Sequence, residues 1–329
     1  MGTGLSASKT PRATKADVAR LAGVSTATVS YVLNNATGRQ ISAPTQAAVR
    51  RAAEELGYRP NLAARNLARG GSGVILYVVP RVAVGEMPLK AGSRMTTALA
   101  RRGIIQIQVF ETDSDKHIVD AVADLNPIAV SSLFPLSDPV REAVKAAGIP
   151  LIEIGTLPAL GEPHLSVGEL RVEHLVSRGH RQLAFAYAAI PRWRPLGDFW
   201  FEGVERAAVA RGLPPLQVAE VTADNIVRVV TEWLDRRVTA VCAQSDEIAF
   251  VILHGIREAG LSCPHDLAVI GVDATSTSEV SAPPLTTVEF NTEAVADVAV
   301  AGVLAELGHP DEAASPPGQI FRLIERSST

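Results

Sequence analysis

The sequence predicts an N-terminal all-α helix-turn-helix head followed by an α/β body of two similar lobes, in which parallel sheets are flanked by helices. Three observations predict it. Residues 14–60 hold two short helical patterns joined at a glycine and then a third. From Val74 onward, β-rich runs alternate with amphipathic ones. Charge divides along the same line: residues 1–70 carry ten basic and three acidic side chains, a net +7, so the remainder carries −11 in a chain of net charge −4. A basic head on an acidic body suits a polyanionic partner for the head alone.

The head follows from its local chemistry. Thr14 and Asp17 form a capping-box start, and Val18 and Leu21 give the first helix one apolar edge before Ala22-Gly23-Val24 turns the chain. Ser25 is a good N-cap for a second helix. Val29, Val32 and Leu33 face the first helix and leave Thr26, Ala27, Thr28, Ser30 and Tyr31 outward on a surface without charge. Short polar groups and a phenol on a second helix match a major-groove reader; a three-helix bundle of another purpose is the competing reading. After the loop NNATGRQI, Ser42 caps a third helix with Pro44 in its first turn. Val49, Ala52 and Leu56 form its inner edge, and Gly57 ends it. Asn61 can cap a further short helix, LAARNLA, too short to be stable in water until something packs on it.

In the body, VILYVV, IIQIQVF, IAVSSL and IPLIEI read as strands between the helical stretches PLKAGSRMTTALARRG, KHIVDAVADL and PVREAVKAAG. A second series follows: the helix ELRVEHLVSRGH, the strand QLAFAYA, the helix FWFEGVERAAVARG, the strand LQVAEV, the helix IVRVVTEWLD, the strand TAVCA, the helix EIAFVILHGIREAG and the strand LAVIGV. At 329 residues and 47% hydrophobic, the chain can bury such cores. No run of about 18 apolar residues occurs, so no spanning helix is expected. The first dozen residues, MGTGLSASKTPR, lack a signal peptide's apolar core and read as a disordered basic lead-in. Cys242 and Cys263 are spaced unlike a metal or redox motif and read as buried thiols of a reduced, cytoplasmic protein.

The runs ADVARLAGVSTATVSYVLN and AAEELGYRPNLAARNLARG resemble the signature of the LacI/GalR family of bacterial transcription regulators. The likeness continues more thinly in HLVSRGHRQLAFA, SDEIAF, DLAVIGVD, PPLTTVEFN and RLIERSS. It implies a periplasmic-binding-protein-like body whose chain crosses between lobes near Ile154, Phe290 and Pro310, with Ile320 to Ile324 a last strand in the second lobe. The expected domains are the lead-in 1–13, the head 14–60, a hinge helix and linker 61–73, and an effector-binding and dimerisation body 74–329. Its first lobe is about 74–155 and 291–310, its second about 156–290 and 311–329.

By the same resemblance, Thr26, Ala27 and Tyr31 are base readers, and Ser25, Thr28, Ser30 and Asn34 touch the DNA backbone; Gln46 replaces an arginine frequent in the family, and Arg39 in the longer loop is read as restoring that phosphate contact. Tyr31 departs from the arginine common there, which removes a bidentate guanine reader. Asn61, Ala64 and Leu67 belong to a hinge helix that pairs with a partner subunit's in the minor groove, where Leu67 acts as a wedge. The implied function is a sequence-specific regulator, a repressor, binding a pseudo-palindromic double-stranded DNA operator as a homodimer under a small-molecule effector held between the lobes. An activator, or a regulator whose cleft has lost ligand response, remains an alternative; a solute-binding protein would need a signal peptide and no basic head.

The family's effector contacts carry over unevenly. Asp273 keeps a carboxylate that commonly takes a ligand hydroxyl or amine, while Trp200 replaces an arginine, Pro163-His164 an Asp-Asn pair and Ser245 an asparagine, and VAVGEMP stands where an Asn-Pro-Phe-type segment is usual. Trp193, Phe199, Trp200 and Phe201 gather there in a chain only 5% aromatic. Two outcomes are open: a less polar or aromatic effector stacked by Trp200 and held by Asp273, or a cleft in which these aromatics are simply core. No cofactor, metal site or enzymatic activity is expected. There is no GxGxxG, P-loop or HExxH, and Gly70-Gly71-Ser72-Gly73-Val74 fails the GxSxG pattern at its last position. His180 reads as structural, and Asp246 as a helix N-cap.

Overall fold

The computed structural model describes residues 13–33, 41–58, 72–79, 86–309 and 318–329. Of the expectations above, the loop residues Asn34 and Arg39 and the hinge positions Asn61, Ala64 and Leu67 lie outside the described residues. The chain separates into two compact units, Met1–Ser72 and Gly73–Thr329.

In the head, α1 (Lys15–Ala22) starts at the expected capping box: Thr14 Oγ1 accepts the Asp17 N–H, and the Asp17 carboxylate accepts the Thr14 N–H. A hydrogen bond from the Thr14 hydroxyl to the Asp17 carboxylate, followed by the one from the Thr14 N–H, holds the Asp17 carboxyl below its ordinary pKa, helped by Arg20. Gly23 ends the helix at φ +66°, a left-handed conformation open to glycine, and returns its N–H to the Ala19 and Arg20 carbonyls. Ser25 Oγ accepts the Thr28 N–H at 3.1 Å and opens α2 (Thr26–Leu33), while Ser42 Oγ accepts that of Thr45 and opens α3 (Ala43–Glu55) with Pro44 in its first turn. Val18, Ala19, Val29, Val32, Val49, Ala52 and Ala53 form the core. Leu21 is a correction: it is 48% exposed, not part of the inner edge. The inner stripe of α1 instead runs through Val18, Ala19 and Ala22, small side chains that let three short helices approach closely.

The first lobe is a parallel sheet in the order β2-β1-β3-β4, built from β1 (Val74–Val79), β2 (Ile105–Phe110), β3 (Ala129–Ser132) and β4 (Leu151–Glu153). Its helices are α4 (Met87–Ala100), α5 (Lys116–Leu125) and α6 (Asp138–Ala146). The second lobe repeats the scheme with α7 (Pro163–Ser177), β5 (Leu183–Ala188), α8 (Arg194–Ala210), β6 (Gln217–Val221), α9 (Ile226–Asp235), β7 (Ala240–Ala243), α10 (Asp246–Glu258) and β8 (Ala268–Ile270). Its sheet order is β6-β5-β7-β8, again parallel. Every residue of β5 is buried, as expected of a strand covered on both faces.

After the short helix α11 (Ser276–Val280), β9 (Thr287–Phe290) leads into α12 (Thr292–Glu306), whose nearly all-apolar sequence buries itself against Met95 and Leu99 in the first lobe's core. The last strand, β10 (Phe321–Ile324), pairs antiparallel with β9. The helices α7 and α8 open several residues earlier than their periodicity marks, because proline at the first turn of each disguises the start. They cross at Gly168 and Gly203: a Cβ on Gly203 would lie 1.9 Å from the His164 carbonyl oxygen, and one on Gly168 2.2 Å from the Gly203 carbonyl carbon. This glycine contact sets where α8 presents its first two turns.

Candidate functional site

Two surfaces carry chemistry. On the head, Ser25, Thr26, Ala27 and Tyr31 are exposed, with Thr28 and Ser30 half-buried between them. All six come from the cap and the first two turns of α2, fixed from beneath by the fully buried Val29. The Ser25 and Thr28 hydroxyls lie 2.9 Å apart at the helix start, where unpaired backbone N–H groups favour an anion such as phosphate. Further along the same face, the Thr26 hydroxyl and methyl, the Ala27 methyl and the Tyr31 phenol match the donor, acceptor and thymine-methyl pattern of base edges. Arg20, the basic side chain in the last turn of α1, is paired with Asp17 at 2.7 Å.

The second surface is a cavity of about 900 Å³ in the body. It takes walls from both lobes, at the ends of strands in the parallel sheets, where open α/β sheets place their ligands. The first lobe contributes Met87, the turn from Ser132 to Ser137 after β3, and Gly155, Thr156 and Leu160 after β4. The second contributes Ile190 to Arg192 after β5, then Pro195, Leu196, Phe199 and Trp200 from the opening turns of α8, with Phe290 and Phe321 on β9 and β10. Four of these rings form a chain: Phe199 to Trp200 at 4.8 Å, Trp200 to Phe290 at 6.0 Å, and Phe290 to Phe321 at 5.4 Å. Polar groups are fewer. Glu111, Thr112, Asp113 and Asp115 follow β2, and Arg192 reaches across from the other lobe to Asp113 at 3.1 Å.

Of the effector residues expected from sequence, Trp200 lines this cavity, although it is only 4% exposed and is also part of the lobe's core. His164, Ser245 and Asp273 are not on its wall. His164 stacks on Phe199 at 4.7 Å and lies 3.8 Å from Glu202. Ser245 is buried and caps α10 by accepting the Ile248 N–H. That cap displaces the role expected of Asp246, whose carboxylate instead accepts the Thr275 N–H and the Thr275 and Thr287 hydroxyls, tying α10 to the segments around β9. Burial, opposed by those hydrogen bonds, pushes the Asp246 carboxyl up to about 6.

Asp273 stands beside Asp246 at φ +113°, and burial, reinforced by the charges of Asp246 and Glu247, holds its carboxyl well above the usual range. Beneath them Arg171 is fully buried, donating to the Ala243 and Ile270 carbonyls. Sequence reasoning passed over Arg171, although a guanidinium three residues from Gly168 and four from Leu175 on the inner face of α7 was a visible signal. It also passed over Phe134, Phe321 and Arg192, which reach the cavity from separate ends of the fold. His180 behaves as expected of a structural histidine, with Nδ1 3.0 Å from the Thr239 hydroxyl.

Comparison with known proteins bears on both surfaces. Residues 14–61 match the model of bacterial regulatory proteins, lacI family, and residues 172–329 match a periplasmic binding protein-like domain. The chain is 30% identical to the HTH-type transcriptional regulator CelR of Thermobifida fusca, over 84% of this chain and 86% of that protein. It is also 30% identical to the lactose operon repressor of Escherichia coli K12, over 83% of this chain and 79% of the repressor. Among solved structures, the lac repressor dimer bound to operator and the anti-inducer ONPF superposes with a TM-score of 0.75 at 25% identity, over 97% of this chain and 99% of that one. A CelR–cellobiose complex does so at 0.62 and 26%, over 97% and 100%. The head that carries the uncharged outer face of α2 and the body that carries the cavity match the two halves of one known design, and the chain belongs to the lacI family of bacterial transcriptional regulators.

Proposed function

We propose that the chain is a homodimeric repressor that binds a pseudo-palindromic operator through α2 and answers to a small molecule held in the body cavity. The observation that carries the reading is the outer face of α2, small, polar and uncharged, on a helix capped at Ser25 and braced by Val29. Thr26, Ala27 and Tyr31 read bases, while Ser25, Thr28, Ser30, Asn34 and Arg39 hold phosphates; the net +7 of residues 1–70 supplies the non-specific attraction. One eight-residue helix spans too few base pairs for a genome, so two heads related by a two-fold axis are required. Asn61, Ala64 and Leu67 complete the contact in the minor groove, with Leu67 as the wedge.

The body supports the regulatory half of the reading. A cavity walled by two lobes gives a ligand differential contacts in open and closed states, which is what coupling to DNA affinity demands, and that coupling is reciprocal. The lac repressor structure with operator and anti-inducer, and the CelR structure with cellobiose, are relatives in which a body of this kind is solved with a small molecule. With chromosomal DNA as its partner, the protein works in the cytoplasm. The test is stoichiometry on a selected duplex by analytical ultracentrifugation. Two chains per duplex, with binding abolished by removal of residues 1–72, is the expected result; one chain per duplex, or binding by the body alone, contradicts the proposal.

A further inference from the structure

The cavity's wall selects the class of its ligand. Resting on the reading of the cavity as an effector site, we propose that the effector is an uncharged, predominantly apolar fused-ring compound. Free sugars and charged metabolites are excluded by a wall whose polar residues are already engaged within the protein.

The apolar preference follows from the rings. Phe134, Phe199, Trp200, Phe290 and Phe321 line the space together with Met87. From Phe199 to Phe321 successive ring planes are inclined by 64°, 52° and 89°, a mixture of faces and edges that suits a flat ring. Met87 and Phe134, both of the first lobe, pack against the cores of both lobes. Apolar contact therefore already crosses between the lobes at this wall, and an apolar ligand extends it wherever the lobes are close. Such differential contact is what a ligand needs to shift lobe closure. The volume of about 900 Å³ is that of a small-molecule site. A chain segment would also need partners for its backbone groups.

The exclusion of polar ligands follows from the partners of the remaining groups. Ser132 donates to the Phe134 carbonyl at 2.6 Å, Ser137 to the Asp115 carboxylate at 2.6 Å, and Thr156 to the Glu153 carbonyl at 2.8 Å. Thr112 donates to the Ser114 carbonyl at 2.9 Å. Arg192 is paired with Asp113 at 3.1 Å, and Glu111 and Asp113 make further contacts in the protein. Every hydroxyl-bearing and charged residue on the wall is thus engaged. A ligand hydroxyl would exchange one protein hydrogen bond for another with little net gain, and a ligand charge would lose its hydration among rings. An apolar ring gains simply by leaving water. The charges also stand at the margin: β2 is the edge strand of its sheet, and the Asp113 side chain that follows it is 78% exposed. The rings are covered, Trp200 being 4% and Phe290 8% exposed.

Isothermal titration of the full-length protein with 2-naphthol, 2-naphthoate, 2-naphthylmethylamine and cellobiose tests the proposal. Near neutral pH the first is uncharged, and the next two carry opposite charges on the same ring system. The naphthol is expected to bind once per chain, about tenfold or more tighter than either charged analogue, with a negative heat-capacity change and little response to salt. Cellobiose is expected not to bind. Phe134→Ala and Met87→Ala should each weaken the naphthol several-fold, and if one variant fails to fold the other carries the test. Binding of a charged analogue or of cellobiose as tight as the naphthol's overturns the uncharged apolar class while leaving the cavity as a ligand site. Failure of all four to bind overturns this proposal and the effector reading with it. Naphthol binding that neither substitution weakens lies outside the cavity and overturns the proposal.

Discussion

The residues of the head that face outward from Ser25 to Tyr31 lie within seven consecutive positions, whereas the wall of the body cavity is drawn from separate segments between Val78 and Phe321. The first surface is a property of one helix and its cap; the second exists only because two sheets, two crossing helices and a returning strand pair are all in place. That difference teaches where each is vulnerable. Damage to the head should be local and graded, while damage to the body's packing should remove the cavity as a whole.

The sharpest way to break the comparison is at the crossing of α7 and α8. Gly203→Val puts a side chain where even a Cβ lies 1.9 Å from the His164 carbonyl, so the helices must part. A loss of about 3 kcal/mol or more is expected. Urea unfolding followed by tryptophan fluorescence reads it selectively, since Trp193, Trp200 and Trp233 all lie in the body. An unchanged midpoint would show that the crossing does not hold α8 in place.

Next in size is the buried carboxyl of Asp246. Its folded-state pKa is raised to about 6, so the folded protein holds that proton more tightly than the unfolded chain does. The sign is therefore opposite to that of a salt-bridged aspartate: the stabilising contribution is present at low pH and lost as pH rises from about 4 through about 6. Asp246→Asn removes this loss, and relative to the parent it should gain about 2 kcal/mol between those limits. Parallel stability profiles of the two proteins would contradict the assignment.

Changes on the head should be smaller in stability and visible mainly in binding. Tyr31→Ala should alter the preferred base at one symmetric pair of operator positions, worth about 1–3 kcal/mol of discrimination, in a selection from random duplexes. An unaltered selected site rejects Tyr31 as a reader. Ser25→Ala removes the cap of α2 and should cost the head about 1 kcal/mol, with a matching small loss of affinity across all sequences. A loss confined to particular bases would instead make Ser25 a reader.

Legibility in the sequence follows the same division. The head could be read in detail because its signals are local: the capping box at Thr14 and Asp17, the left-handed Gly23, and the caps at Ser25 and Ser42 each occur within four residues of what they control. In the body, α5 and α9 coincide with KHIVDAVADL and IVRVVTEWLD, since one apolar face suffices to mark an amphipathic helix. The cavity was hardly legible. Trp200 stood out as a bulky residue where a polar one was expected, but Phe290 and Phe321 meet it only through an antiparallel pairing across a long excursion of chain. Asp246 was misassigned because an acid at a strand-to-helix junction is usually a cap, and nothing nearby reveals that Thr275 and Thr287 fold back onto it. Leu21 failed for a simpler reason: on a helix of eight residues, the position of one alanine decides which edge turns inward.

The most direct test of the central claim is selection from a random duplex pool by the full-length protein, beside a version lacking residues 1–72. The account predicts that the full-length protein alone enriches a pseudo-palindrome whose half-sites are spaced for two heads. Enrichment by the truncated protein, or binding by the full-length protein with no sequence enriched, would contradict it.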